Sequence, residues 1–168
     1  MAFVVEDDTG LNNANSYLAV VDFDAYHNDR GNSISGFSTT EKEQALVKAT
    51  DHIDRVFRFK GDKGNSLQNL EWPRIDAFDR DNRLISGVAD QVKDATAEYA
   101  LRALEITLLP DPEVDATGSR ITRRSERVGP IAESVEFASG GAYQLPKYPN
   151  ADRLLRDLVA ANRRLIRG

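Results

Sequence analysis

Two histidines, a run of aspartates, a glycine–lysine turn and a single tryptophan are the residues of this sequence best suited to chemistry. His27 and His52 are each followed two residues later by an aspartate, Asp29 and Asp54. Neither has the spacing by which two imidazoles on one helical face hold a metal, as in HExxH. Both are therefore expected to be partly exposed helix residues. Asp76, Asp79 and Asp81, in DAFDRDNRLI, place oxygens at intervals that suit calcium. The stretch lacks the glycine at the sixth loop position and the closing glutamate at the twelfth, so a solvated loop fits it better. Lys60, Gly61, Lys63 and Gly64 have the makings of a phosphate-cradling nest. No strand-then-helix frame surrounds them, and they read as the turn that closes a helix. Phe57, Arg58, Phe59 and Lys60, and again Tyr143, Lys147 and Tyr148, interleave rings with positive charge as single-strand binders do. Phe57 also falls on an apolar helical stripe, which explains it as core.

No GxSxG turn, Walker-type glycine loop or GxGxxG fingerprint occurs, and the chain has no cysteine. Thiolate chemistry, disulfides and cysteine zinc sites are excluded. The expectation is a protein without catalytic residues, metal or cofactor, and not an enzyme. The tryptophan has a structural explanation. In LEWPR, Pro73 drives Trp72 into an extended conformation, and Leu70 and Trp72, two apart, then face the same side. Glu71 and Arg74 are left for solvent. Burying an indole of ~150–250 Å² at ~25 cal/mol per Å² offsets several kcal/mol of loop ordering. Leu70, Trp72 and Pro73 are thus read as a pin holding a loop to the core, with a ligand or partner platform as the other possibility.

These residues have to be carried by 168 residues, enough for one domain with its own core. Hydrophobic residues make up 40% and charged residues 29%, as in ordinary globular proteins. No apolar run is long enough to span a membrane, and MAFVVEDDTG is too short and acidic for a signal peptide. The lack of cysteine fits a cytosolic product. The net charge of −5 argues mildly against generic nucleic-acid binding. It is unevenly placed: residues 1–119 hold 12 Lys and Arg against 22 Asp and Glu, and residues 120–168 hold 10 against 5. An acidic body with a basic end can bind a polyanion, or let one copy's end meet the next copy's body.

The pattern predicts a mainly α fold: a small bundle of about four helices with a short β-hairpin and long loops. Phe3–Val5 can add a strand. A first helix follows Asn15 or Ser16 as cap, with Leu18, Val21 and Ala25 on one face. Thr40 and Glu43 are spaced as a capping box for a second helix ending near Phe59. Its apolar stripe is Ala45, Leu46, Ala49, Ile53, Val56 and Phe57. Glu41, Lys42, Lys48, Asp51, Arg55 and Arg58 take its outer face. Residues 60–87 read as a long irregular excursion, which is usually functional or pinned by its own side chains. The third helix opens at Val88, with Val92, Ala95, Tyr99, Ala103 and Ile106 in its stripe. Ala97, Ala100, Leu101 and Leu104 broaden that surface, so this helix should have neighbours on several sides. Pro110 and Pro112 end it. Two short strands flank Gly129-Pro130 in a hairpin over about 120–138, and a last helix runs over 149–167. The helical core is thus about 16–109 and 149–167 of a single domain, 1–168.

In order along the chain, VEDDTGLNNANSY, ALVKATDHIDRVFRFKG, LEWPR, VKDATAEYALRAL, RRSERVGPIAESVEF and YPNADRLLRDLV resemble the head–tail adaptor, or connector, proteins of tailed bacteriophages. The same family also carries the label DnaT-like single-stranded-DNA-binding protein. The resemblance spans nearly the whole chain and rests on motif order, since each motif is short and none is catalytic. It implies an α-helical fold with a small β element and a ring, commonly of twelve copies, beneath the portal at the capsid vertex. That ring would sit in the virion neck, assembled in the host bacterial cytoplasm. It would extend the DNA channel without sequence-specific binding and dock the tail or next neck protein. The alternative is a single-stranded-DNA-binding replication accessory. Two candidate contact sets follow: the charge split places Arg163, Arg164 and Arg167 against the portal or an adjacent copy, and the open strand edges of the hairpin place Arg123, Arg124 and Arg127 between neighbouring copies.

Overall fold

A computed structural model of the chain describes residues 2–111, 123–128, 131–136 and 146–160, the two middle segments by their backbone. The architecture is four helices, a six-residue hairpin ladder and a two-residue ladder, the mainly α fold expected. Contacts divide it into two compact units, Met1–Leu108 with Lys147–Gly168, and Leu109–Pro146.

The first unit is built on α2 (Thr39–Val56) and α3 (Asp90–Ala103), packed on each other. Ala45, Leu46, Ala49 and Ile53 of α2 meet the core, as their spacing predicts, while Val56 is 46% exposed at the helix end. Phe57 leaves the helix in an extended conformation and is only half-buried, so α2 stops three residues short of Phe59. The capping box is Ser38 and Glu41 rather than Thr40 and Glu43. Ser38 Oγ accepts from the Glu41 N–H at 3.3 Å, and Glu41 Oε2 accepts from the Ser38 N–H at 2.8 Å. The Ser38 N–H, with the Ser38 hydroxyl donating to the same Oε2 at 2.7 Å, holds the Glu41 carboxyl below its usual range. Ser38→Ala is therefore expected to cost ~1 kcal/mol in urea unfolding, while Thr40→Ala leaves the midpoint within error. Lys42, assigned to the outer face, is buried at 8% and paired with Asp24 at 2.7 Å.

As the breadth of its apolar surface predicts, α3 has neighbours on several sides, touching α1, α2 and α4. Val92, Ala95, Tyr99 and Ala103 are buried, as are Ala97 and Ala100. The helix ends before Ile106, which is 51% exposed. Its start is held by a distant group: Asp8 Oδ1 accepts from the Val88 N–H at 2.6 Å.

The first helix, α1 (Val20–Asp29), begins later than its expected caps. Asn15 and Ser16 are buried and bonded elsewhere. Asn15 Oδ1 accepts from Val4 N–H and its Nδ2 donates to Ala2 O, while Ser16 Oγ donates to Leu18 O. Phe3–Val5 contributes one bridge, Val5 to Ser16, instead of a strand. The buried face of α1 is Phe23 and His27, four apart, and Val21 is 71% exposed.

Residues 60–87 are more ordered than an irregular excursion. β1 (Asp62–Lys63) pairs antiparallel with β2 (Arg74–Ile75), and Phe78 bridges Leu84. Lys60–Gly64 is therefore the entry to a ladder, not a helix-closing turn. Gly61 has φ +72°, and a Cβ there would collide with Ile75 O, so the strand crossing admits only glycine.

α4 (Pro149–Leu155) is far shorter than expected. After it the chain turns, and Val159 pairs with Phe59 while the Ala160 N–H donates to Arg58 O at 2.8 Å. Just before it, Tyr148 Oη donates to Leu108 O at 3.0 Å, so the two ends of the 109–146 segment are bonded together. Within the second unit, β3 (Arg123–Val128) pairs antiparallel with β4 (Ile131–Glu136), from Arg123 opposite Glu136 to Val128 opposite Ile131. This is the hairpin expected around Gly129-Pro130.

Candidate functional site

The LEWPR segment sits at the centre of the first unit. Trp72 is fully buried and Leu70 is 4% exposed. Pro73 is buried and follows a cis peptide bond. The indole meets the edge of Phe59, ring centroids 5.6 Å apart. Its backbone N–H donates to Tyr17 Oη at 3.2 Å, and Tyr17 Oη in turn donates to Asp54 Oδ1 at 2.5 Å. Asp54 Oδ2 accepts from the Glu71 N–H at 3.1 Å. One carboxylate of α2 thus fixes both the N-terminal loop, through Tyr17, and the tryptophan loop. Burial pushes the Asp54 carboxyl up to about 6, against the lowering effect of those two bonds. The same burial, with the Asp54 charge beside it, drives the Tyr17 phenol well above its ordinary value.

Glu71 and Arg74, left for solvent by the sequence, are instead a staple. The Arg74 side chain is 9% exposed and pairs with Glu71 at 2.9 Å. Its Nε donates to Lys60 O at 2.8 Å and its Nη2 to Gly61 O at 2.6 Å. Gln68 adds two bonds, from Nε2 to Leu70 O and Pro73 O. Nothing in the pattern singles out Arg74 or Gln68. Their roles come from long-range carbonyls that only the folded loop brings together.

The other candidates are likewise absorbed into structure. Both histidines are buried, not partly exposed: His27 at 0% and His52 at 7%. Asn32 Nδ2 lies 3.0 Å from His27 Nδ1, and Nε2 lies 3.0 Å from Ala97 O, an arrangement that fits the neutral ring protonated at Nε2. His52 lies against the Tyr99 and Tyr148 rings. Burial lowers the basicity of both. In the aspartate run, Asp79 Oδ1 accepts from the N–H groups of Asp81 and Arg83, and the Arg83 guanidinium ties Asp79 to Asp81. Among the described residues no three acidic or histidine groups gather to hold a metal.

The body's positive charges are mostly engaged. Lys60 Nζ donates to Asp157 O at 2.6 Å, and Lys63 pairs with Glu71 at 3.1 Å. Arg55 pairs with Asp51, Lys93 with Asp8, and Arg30 lies 3.4 Å over the Tyr26 ring. The FRFK cluster offers no aromatic groove: Phe59 is buried beside Trp72 and Phe57 packs toward Tyr99. Tyr148 is half-buried, and Tyr143 lies outside the described residues. Arg123, Arg124 and Arg127 lie along β3. Arg163, Arg164 and Arg167 lie outside the described residues.

The fold and these contacts define a helical scaffold whose polar groups mainly brace its own loops. A family model described as "Putative DnaT-like ssDNA binding protein" matches residues 1–168. The chain belongs to that family. No curated protein and no solved structure matches it. Among the described residues no helix is long and apolar enough to cross a membrane.

Proposed function

We propose that this protein is a non-enzymatic single-stranded-DNA-binding protein whose strand contact lies in its basic C-terminal third. Family membership supplies the DNA-binding reading. The observation that carries the location is the charge split: the body's cations are largely tied to its own carboxylates and carbonyls. The excess of 10 Lys and Arg over 5 Asp and Glu falls in residues 120–168. Phosphates are held through such positive charge, and each neutralised phosphate steepens the salt dependence. Binding of labelled single strands across a salt series tests this. Arg123, Arg124 and Arg127 exchanged together for Glu, and Arg163, Arg164 and Arg167 likewise, should each weaken binding roughly 10- to 100-fold. Each should also lower the salt slope by about one for every phosphate the variant no longer holds. Unchanged slopes in both variants would move the strand-binding surface to the body.

A second reading, the head–tail adaptor ring, is favoured by a different observation. The ordered 60–87 loop displays Leu67, Ile75, Phe78 and Leu84, 76%, 53%, 39% and 64% exposed, which suits docking more than a soluble replication factor. In this reading the basic third meets the acidic body of the next copy in a heterologous contact that can close a ring of about twelve. DNA then passes through the channel, and portal and tail or neck proteins dock on its faces. Finding the chain by mass in purified virions supports this reading. Its absence there, with tight oligonucleotide binding by a lone subunit, supports the first.

A further inference from the structure

Most cations of the body are engaged by its own acids and carbonyls, but Arg58 and Arg102 are not, and the fold brings both to α4. The Ala160 N–H donates to Arg58 O at 2.8 Å and Val159 bridges Phe59, so Arg58 lies along the chain that leaves α4. At the other end Tyr148, which precedes α4, donates to Leu108 O at 3.0 Å. Burial raises the Tyr148 phenol, and the nearby Arg102 charge opposes that rise. Between these ends, α4 buries Ala151 and Leu155. Its Asp152 is tied down, accepting from Tyr99 Oη at 2.5 Å. Lys147, Arg153 and Arg156 are left exposed, and the two arginines, three apart, share one side.

Among the described residues, the side chains of Arg58, Arg102, Lys147, Arg153 and Arg156 meet no ion-pair or hydrogen-bond partner. Over residues 57–60, 102–108 and 147–160 the exposed cations are these and Lys60, and the exposed carboxylates are Glu105 and Asp157. Neighbouring Arg55 is balanced by Asp51 at 3.1 Å. Like charges gathered without balance attract a polyanion. Their order along one stretch of chain, with one body arginine at each end, suits a linear run of phosphates. We infer that a single DNA strand runs along α4, its phosphates held by Lys147, Arg153 and Arg156, with Arg102 and Arg58 taking phosphates at the two ends. The inference rests on the strand-binding reading above and adds to it two residues outside the basic third. Neither stands in a basic run, and only the fold places them beside α4.

Anisotropy of labelled oligothymidylate on the full chain, across a salt series, tests it, with melting temperature as the folding control. Arg153→Ala with Arg156→Ala, and separately Arg58→Ala with Arg102→Ala, should each weaken binding roughly 10-fold. Each pair should also lower the salt slope by roughly 1–2. Arg80→Ala with Lys93→Ala makes the same change of net charge away from α4 and should leave the slope unaltered. A second measurement needs no variant: bound oligothymidylate should shield Arg58, Arg102, Arg153 and Arg156 from phenylglyoxal, read by mass, and leave Arg80 reactive. If the wild type binds but the α4 pairs behave like the Arg80/Lys93 control, or their arginines stay reactive in the complex, the track is wrong although the strand-binding reading stands. If the wild type does not bind at low salt, both fall. Loss of self-association in the α4 pairs, with oligonucleotide binding unchanged, would overturn the inference in favour of a contact between copies.

Discussion

Replacing Trp72 by alanine is expected to lower the free energy of unfolding by ~3–5 kcal/mol, the range for emptying a large buried aromatic site. For a chain of this size that is a fall in melting temperature of roughly 10 °C or more. The loss arises from three connected sources. The indole is fully buried against Phe59. Its loop carries the backbone N–H that reaches Tyr17, and Tyr17 holds the N-terminal loop to α2. Removing the ring loosens both the tryptophan loop and the N-terminal loop tied to it through Tyr17. Trp72→Phe should lose much less. The indole N–H has no protein acceptor among the described residues, so phenylalanine forfeits area and no hydrogen bond. Urea unfolding followed by circular dichroism separates the two variants. Equal, small losses would mean the loop is held by the Arg74 and Gln68 bonds alone.

The second large effect depends on pH. Asp54 has its carboxyl pushed from 3.8 up to about 6, first by burial. A raised folded-state value means the native protein binds this proton more tightly than the unfolded chain does. The contribution to stability is therefore fully present below about 4 and is lost as pH rises through about 6. At about 1.4 kcal/mol per pH unit, reduced for the solvent the group still meets, the swing is of order 2 kcal/mol. Asp54→Asn carries no such proton. The stability advantage of wild type over Asp54→Asn should be largest at pH 3.5 and below and shrink by that amount by pH 7.5. Comparing the two chains at each pH cancels the titration of the other carboxylates. A difference that stays flat across this range would show that Asp54 ionises freely.

The helices α2 and α3 are legible in sequence because their apolar residues recur at three and four over several turns, and those turns do face the core. The boundaries fail for separate reasons. Ser38, Thr39 and Thr40 offer consecutive hydroxyls, and Ser38–Glu41 has the same spacing as the expected Thr40–Glu43, so spacing alone does not choose. Asn15 and Ser16 are good caps by type, but distant backbone groups at Ala2, Val4 and Leu18 recruit their side chains first. The apolar period of the last helix continues past Leu155, yet Leu158 and Val159 are used against Arg58, Phe59 and Lys60 in extended pairing. Arg74 is the sharpest omission. An arginine after a proline gives no sign that it will reach Lys60 and Gly61. Sequence misplaces the histidines because their buried partners, Ala97 O and the Tyr99 ring, come from another helix. Polar residue types suggest chemistry throughout, and the fold employs most of them as bracing.

The bond from Tyr148 to Leu108 has a consequence for how such a protein can change. Because the stem of the 109–146 segment is closed at one point on the body, that segment is an insert in the architectural sense. The number of residues between these two anchors can change at small cost, since doubling the length of a connecting loop adds only about 0.6 kcal/mol in closure entropy. The body can therefore keep its interior unaltered while the residues between Leu108 and Tyr148 are resized or recharged.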